Sequence, residues 1–137
     1  MSHSLSLVAL KSLTYFYFRK PEPIVSDDFE VLGLKFPNRL GLAAGMDKNA
    51  DYVDPLSYLG FGFIELGTLT PKAQAGNLKP RLFRLAKERS LINRMGFNNK
   101  GIDHAVKKIK KSNSKAVIGL SIGKNFDTSL DKAVEDY

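Results

Sequence analysis

Three short runs of apolar residues recur along the chain, and each is followed by a segment with helical spacing. The runs cover Leu40–Ala44, Gly62–Leu66 and Ala116–Ile122. Because most odd and even positions are apolar or small, each run is typical of a strand that is covered on both faces of a sheet. The alternation of strands and helices predicts an α/β fold with a parallel sheet built from βαβ units.

A helix is predicted after each run. The predicted bounds are Asn49, as N-cap, to Gly60; Gly101–Lys111; and a last helix opened by a capping box of Thr128 and Asp131 and ending with the chain at Tyr137. Pro55 lies inside the first of these spans, so that helix has to begin near the proline or kink there.

Two further patterns lie outside the predicted sheet. Phe29–Leu32 and Leu34–Phe36 predict a hairpin around Gly33. Between Thr68 and Asn99, two segments with alternating apolar positions, Arg81–Leu85 and Ser90–Asn93, lie within a long insertion. An insertion of this length after a strand is where lids and binding loops occur.

The first residues form an apolar segment of helix length, Leu5–Phe18, with nearby positive charge from Lys11, Arg19 and Lys20. Pro21 and Pro23 end it, so we divide the chain into residues 1–23 and 24–137. Such a helix can lie in a membrane interface, but packing against a core is the interpretation that the sequence alone favours.

Composition limits the possible chemistry. The chain of 137 residues has no cysteine and only two histidines, so no disulfide, cysteine nucleophile or metal site is expected. The net charge of +7 would suit nucleic acid. However, Lys107, Lys108, Lys110 and Lys111 fall on one side of a predicted helix, where we expect solvent rather than nucleic acid. No apolar run reaches ~18 residues, so no membrane-spanning helix is predicted.

Residues 40–48 carry the first candidate chemistry. Ala43, Ala44 and Gly45 have almost no side chain, so a flat ligand can lie on their backbone. Asp47 and Lys48 then follow at the carboxyl end of the strand, where parallel α/β folds bind ligands. The alternative is a tightly packed turn between strand and helix.

The second candidate is the cluster from Asn93 to Asn99, which contains three asparagines. Their amides suit a polar, planar ligand, and the alternative is a set of turns that favour asparagine.

Three strands cannot close a (β/α)₈ barrel, which needs roughly 250 residues. We therefore expect the first part, about three βα units, of a TIM-type barrel, preceded by a short helix and a hairpin.

Four segments resemble the quinone-dependent (class 2) dihydroorotate dehydrogenases. They are GLAAGMDKN (41–49), LGFGFIELGTLTPKAQAGNLKPRLFRL (59–85), LINRMGFNNKG (91–101) and IGKNFDT (122–128). The resemblance implies a barrel that binds FMN and oxidises dihydroorotate to orotate in pyrimidine biosynthesis, with a quinone as the final acceptor. The alternatives are another FMN-dependent barrel oxidoreductase, such as a class 1 enzyme, and a non-catalytic fragment.

The resemblance also implies roles for individual residues. The residues implied to hold FMN are Ala44, Gly45, Met46, Asp47, Lys48, Thr68 and Ser121. Those implied to bind the substrate are Lys48, Asn93, Arg94, Met95, Gly96 and Phe97. The family usually has asparagine where this chain has Ser121, so we expect that contact to be weaker or mediated by water.

The catalytic base of the family is a serine that is expected beyond Tyr137, so no catalytic residue is assigned and the isolated chain is expected to be inactive. The helical extension of the family docks on the membrane and admits the quinone, and Leu5–Phe18 resembles it. The implied location is peripheral, on the cytoplasmic side of the inner membrane in a bacterium or on the inner mitochondrial membrane in a eukaryote.

Overall fold

The computed structural model describes residues 2–17 and 27–137. The helices are α1 Ser2–Tyr17, α2 Val53–Ser57 and α3 Ile102–Ile109, followed by a 3₁₀ helix at Leu130–Asp136. The strands are β1 Phe29–Val31, β2 Leu34–Phe36, β3 Gly41–Leu42, β4 Phe63–Leu69, β5 Leu82–Leu85, β6 Ser90–Asn93 and β7 Val117–Ile122.

The parallel sheet has the strand order β3-β4-β7, so its three strands lie side by side in the order in which they occur in the sequence. The three predicted parallel strands are confirmed, but their lengths differ from the prediction, and only β4 contains fully buried residues. β3 ends at Leu42 rather than Ala44, because the following residues leave the sheet to form a loop. β4 continues to Leu69, where it still pairs with Ile122 of β7.

The core lies between β4 and the helices. Ile64, Leu66 and Leu69 of β4 are almost completely buried. Leu56 of α2 and Ala105 of α3 belong to the same apolar cluster. Both α2 and α3 therefore contribute apolar side chains to the cluster around β4, and burial of such side chains is the main stabilising contribution.

The start of the first predicted helix is wrong. α2 begins only at Val53, after Tyr52, and Asn49 does not cap it. The carboxylate of Asp47 accepts the backbone hydrogen bonds at this turn, while Asn49 Oδ1 accepts one from the backbone N–H of Lys100. Pro55 lies in the first turn of α2, where a backbone N–H has no acceptor within the helix. The proline therefore removes no helical hydrogen bond.

The last helix is also different from the prediction. Leu130–Asp136 is a 3₁₀ helix, and its N-cap residue, Ser129, makes no side-chain capping bond. The predicted capping box of Thr128 and Asp131 is therefore wrong. The carboxylate of Asp136 accepts a hydrogen bond from the backbone N–H of Asn125, which ties this segment to the preceding loop.

α1 has apolar residues on two sides. Leu7 is buried in the core, so the core-packing interpretation holds for one face of the helix. Leu5, Val8 and Tyr15 are 67%, 52% and 84% exposed. Phe18 and residues 19–26, including the predicted basic and proline end of the segment, lie outside the described residues. Within the described ranges, no helix is both long and apolar enough to cross a membrane.

Both pairs of short strands form antiparallel hairpins. β1 pairs with β2 around Leu32 and Gly33, as predicted, and the rings of Phe29 and Phe36 stack 4.8 Å apart. β5 pairs with β6 in the long insertion, so its alternating segments are also strands. The four lysines of the α3 region are exposed.

Candidate active site

The loop that follows β3 is fastened to the end of β4. The N–H of Gly45 donates to the carbonyl of Gly67 at 2.9 Å, and the N–H of Gly67 donates to the carbonyl of Asp47 at 3.0 Å. Gly67 has a φ of +108°, and a Cβ at this position would lie 2.5 Å from the carbonyl oxygen of Ser121. Glycine is therefore required where the ends of the three parallel strands meet.

Asp47 organises this loop from within. Its side chain is buried, and its carboxylate accepts backbone hydrogen bonds from Asn49 at 3.2 Å, Asp51 at 3.0 Å and Tyr52 at 2.7 Å. Such bonds to a charged acceptor are stronger than neutral ones. Because Asp47 precedes Lys48, its carboxylate also fixes the backbone from which Lys48 extends.

Two hydroxyl groups meet at the carboxyl ends of β4 and β7. The register of the two strands shifts between Gly67 and Leu69, which leaves Thr68 as an additional residue in β4. An irregularity of this kind redirects a side chain. Thr68 Oγ1 and Ser121 Oγ are 2.9 Å apart and share one hydrogen bond. The sequence-predicted pair of cofactor residues is therefore brought together, with each hydroxyl half-buried.

Lys48 lines a cleft of about 280 Å³ between α1, the loop after β3 and the long insertion. The lining residues are His3, Ser4, Leu7, Met46, Asp47, Lys48, Asn49, Asp51, Tyr52, Met95 and Asn98. Burial lowers the pKa of Lys48, and the positive charge of Arg81 lowers it further. No salt bridge among residues 2–17 and 27–137 includes Lys48. Its ammonium is thus available to an anionic ligand.

One buried polar atom of the same cleft lacks a hydrogen bond. Asn98 Oδ1 is the only buried side-chain nitrogen or oxygen without a partner in the part of the chain that the structure describes. A buried acceptor without a donor is costly, so it commonly has a ligand or water as its partner. Asn98, which holds this unpaired acceptor, and Lys48, which carries a cation, therefore line the same cleft.

The structure distributes the predicted substrate residues over several surfaces. Met95 lines the cleft of Lys48, whereas Gly96 lines a second cavity of about 410 Å³. Asn93 is exposed and pairs with Leu82 across the hairpin. Arg94 is directed to the hairpin, where its Nη2 donates to the carbonyl of Pro80 at 3.2 Å.

Phe97 and Asn99 show that the asparagine cluster also builds its own turn. Phe97 is 53% exposed and has a φ of 48°. The amide of Asn99 donates to the carbonyl of Phe97 at 2.7 Å, and its oxygen accepts from the backbone N–H of Thr70 at 3.3 Å. The turn interpretation is therefore correct for Asn99, which is buried.

The residues at the strand ends fit part of a site for a flat cofactor. Gly45 has a φ of +105°, and nothing lies within 4 Å of the position that a Cβ would take. Ala44 precedes it with a methyl group alone. A planar ring system can therefore approach this backbone, with the hydroxyl pair of Thr68 and Ser121 as its polar neighbours.

Behind the loop, Asp51 binds three basic side chains. Its carboxylate lies 2.8 Å from Lys100 Nζ, 2.8 Å from His104 Nε2 and 3.4 Å from Lys108 Nζ. Burial would raise the pKa of Asp51, but the hydrogen bonds from Lys100 and His104 outweigh burial and lower it. This cluster joins the loop to α3. Within the described residues, no three His, Cys, Asp or Glu side chains form a potential metal site.

Sequence reasoning did not single out three residues that support these loops. Glu65 Oε2 accepts a hydrogen bond from the N–H of Ala44 at 3.4 Å, and Gln74 and Asn125 bond to each other across 51 positions of sequence. Nothing local marks Gln74 or Asn125, because their partners lie in other loops. An acidic residue within an apolar strand was the available signal for Glu65.

Comparison with known proteins identifies the relatives of this sequence. A sequence profile described as dihydroorotate dehydrogenase matches residues 28–137. The dihydroorotate dehydrogenase (quinone) of Legionella pneumophila strain Corby is 54% identical over 136 residues, and that of Aromatoleum aromaticum is 50% identical over 139 residues. Each alignment covers 99% of this chain but only 40% and 39% of the respective relative.

Solved structures agree with this comparison. Ligand-free DHODH from Eimeria tenella matches with a TM-score of 0.74 and 37% sequence identity, over 97% of this chain and 40% of that chain. The complex of the Eimeria tenella protein with ferulenol gives a TM-score of 0.73 and 36% identity, over 96% and 38% of the two chains. The α/β architecture described above is thus the architecture of the corresponding part of those structures.

Proposed function

The chain belongs to the dihydroorotate dehydrogenase family, and we propose that it supplies the first three βα units of a (β/α)₈ barrel that oxidises dihydroorotate to orotate. In this proposal FMN is the cofactor, a quinone is the final electron acceptor, and the reaction serves pyrimidine biosynthesis. Relatives named as quinone-dependent enzymes at 50–54% identity support the proposal.

The observation that carries the proposal is the position of Lys48. Its ammonium has no acidic partner among the described residues, and it lines one cleft with Met95 and with the unpaired oxygen of Asn98. A cation in a partly desolvated cleft attracts an anion more strongly than a fully solvated cation does. Dihydroorotate carries a carboxylate and a ring with N–H donors, which complement Lys48 and Asn98 respectively.

For the cofactor, we assign the predicted residues on two strand ends and one loop. Ala44 and Gly45 offer open backbone, Thr68 and Ser121 offer hydroxyls, and Met46, Asp47 and Lys48 complete the loop. Asp47 acts through the loop that its carboxylate organises rather than by a side-chain contact. FMN, when bound, supplies the oxidising power of the reaction.

For the substrate, we assign Lys48 together with the segment from Asn93 to Phe97, which includes Arg94, Met95 and Gly96. Met95 is the member of this segment that shares the cleft with Lys48. Lys48 holds the anionic carboxylate, and the segment covers the ring. The chain's own contribution to the reaction is thus to bind and orient both reactants, which is a large part of enzymatic rate enhancement.

The quinone and the membrane are assigned to α1. One face of this helix packs on the core through Leu7, while Leu5, Val8 and Tyr15 remain exposed. An apolar helix with one exposed apolar face is typical of interfacial membrane binding. We therefore propose peripheral attachment at an inner membrane, on its cytoplasmic side if the source is a bacterium.

The test uses a graft in which residues 1–137 replace the matching part of the Legionella pneumophila relative. The graft should retain FMN and reduce a quinone with dihydroorotate. Lys48→Ala should slow this oxidation by about 2–4 kcal/mol in activation free energy, whereas Lys107→Ala on the solvent face should not. A graft that retains no FMN, or that uses fumarate or a nicotinamide instead of quinone, would refute the proposal.

A further inference from the structure

The side chain of Gln74 joins two loops of the candidate site. Its Nε2 donates hydrogen bonds to the carbonyl oxygens of Gly96 at 3.1 Å and Phe97 at 3.3 Å. Its Oε1 accepts hydrogen bonds from Asn125 Nδ2 at 2.9 Å and from the backbone N–H of Phe126 at 3.0 Å. Both hydrogens and both lone pairs of the amide therefore have partners.

These four bonds fix the orientation of the amide. If the oxygen and nitrogen of Gln74 were exchanged, the oxygen would face two carbonyl acceptors and the NH₂ group would face the N–H of Phe126. Glutamate, which has the same shape, would likewise place a charged oxygen against the carbonyls of Gly96 and Phe97. The position thus requires an amide, and its backbone is held as well, by paired 3.0 Å hydrogen bonds with Asn99.

Asn125 connects Gln74 to the end of β7. Asn125 is only 3% exposed. Its Oδ1 accepts from the N–H of Lys72 at 2.9 Å, and its Nδ2 donates to the carbonyl of the same residue at 3.0 Å. The loop after β7, the start of the insertion and the segment that contains Gly96 are therefore linked through two side-chain amides.

The segment that Gln74 holds has an unusual backbone. Gly96 and Phe97 have φ values of 71° and 48°, both in the left-handed region. Phenylalanine adopts this region only at a cost, so the surrounding contacts have to hold it there. The bonds from Gln74 to both carbonyls provide such contacts, together with the bond from Asn99 to Phe97.

We propose that Gln74 is a positioning residue for the segment that binds the pyrimidine ring, acting through the backbone of Gly96 and Phe97, and that Asn125 fixes its amide. The inference rests on the proposed function, which assigns this segment to the substrate. It adds a residue that touches neither reactant but determines where the segment lies.

Gln74→Glu in the graft tests the inference. The KM for dihydroorotate should rise about tenfold or more, as expected for losing two hydrogen bonds, while kcat and FMN content change by less than about threefold. The rise in melting temperature on adding orotate should shrink in parallel, which measures binding without turnover. Asn113→Asp, the same amide-to-acid change on an exposed residue, should alter none of these values.

A second pair of variants separates the outcomes. Asn125→Ala should raise KM in the same direction. The effect of the double variant should be smaller than the sum of the two single effects, because both changes remove the hydrogen bond between the two amides, although Asn125→Ala also removes the bonds to Lys72. If Gln74→Glu loses FMN, the KM and orotate binding of Gln74→Ala test the inference instead. Unchanged KM and orotate binding in an active graft would overturn the inference alone, whereas an unmodified graft that is inactive would overturn the proposed function.

Discussion

Replacing Asp47 with alanine should destabilise the protein more than any exposed acidic residue does. Asp47 is 3% exposed, and its carboxylate accepts three backbone hydrogen bonds, from Asn49, Asp51 and Tyr52. In the Asp47→Ala variant these N–H groups lose their acceptor inside the loop, where no other described side chain accepts from them. The damage should therefore be to the loop itself rather than to a surface charge.

The magnitude follows from the number and type of these bonds. A hydrogen bond to a charged group contributes about 1.5–3 kcal/mol, but three bonds to one carboxylate are not independent. We expect Asp47→Ala to lower the free energy of unfolding by about 3–5 kcal/mol. Asp47→Asn keeps the oxygen that serves Asn49 and Asp51 but turns an NH₂ group toward Tyr52, so about half of that loss is expected.

Denaturant unfolding of the graft, followed by circular dichroism, measures these differences. Asp127→Ala is the matched control, because Asp127 is exposed and makes no hydrogen bond within the described part of the chain. Its effect should stay within about 0.5 kcal/mol. A loss of less than about 1 kcal/mol in Asp47→Ala would refute the reasoning, since the loop would then hold without its acceptor.

Three further predictions use the same protein. In denaturant unfolding, Gly67→Ala should destabilise the protein more than Gly33→Ala. Both glycines have a positive φ, but only a Cβ at position 67 would meet backbone atoms within 3 Å. Equal effects of the two variants would exclude crowding as the cause. The stability difference between the parent and Asp51→Asn should be largest near neutral pH and disappear as the pH falls below about 4. The lowered pKa of Asp51 means that its ionised carboxylate stabilises the folded protein, and protonation removes this contribution. A constant difference across this pH range would contradict the ion cluster. Deleting residues 1–23 should release the protein from membrane vesicles and slow the reduction of long-chain quinones more than that of a small soluble dye; equal loss of both activities would make α1 a packing element only.

The strands were predictable because their signal is local. Gly62–Leu66 and Ala116–Ile122 are short, mostly apolar runs, and such a run is typical of a strand in a parallel sheet. The hairpin around Gly33 was predictable for a related reason, since a glycine between two alternating segments permits a tight turn. The proposal of Lys48 as a ligand-binding residue also rests on a local signal, since it is a charged residue directly after such a run.

The positions that were misassigned or missed have hydrogen-bond partners that are distant in sequence, or they compete with another side chain for the same donors. Asn49 has the right residue type for an N-cap, but the carboxylate of Asp47 accepts the same backbone donors and Asn49 bonds to Lys100 instead. Gln74 and Asn125 belong to different loops, and only the folded sheet brings them together. Hydrophobic periodicity does not indicate which polar side chains meet in this way.

The hydroxyl pair of Thr68 and Ser121 constrains how these two positions can change during evolution. Each hydroxyl has one hydrogen, and their mutual bond takes one of the two, so the pair has a single O–H left for another acceptor. An asparagine at 121 would bring two N–H donors of its own and would not need a hydroxyl at 68. Serine at 121 is therefore expected to persist only in lineages that keep threonine or serine at 68, so that the two positions covary among relatives.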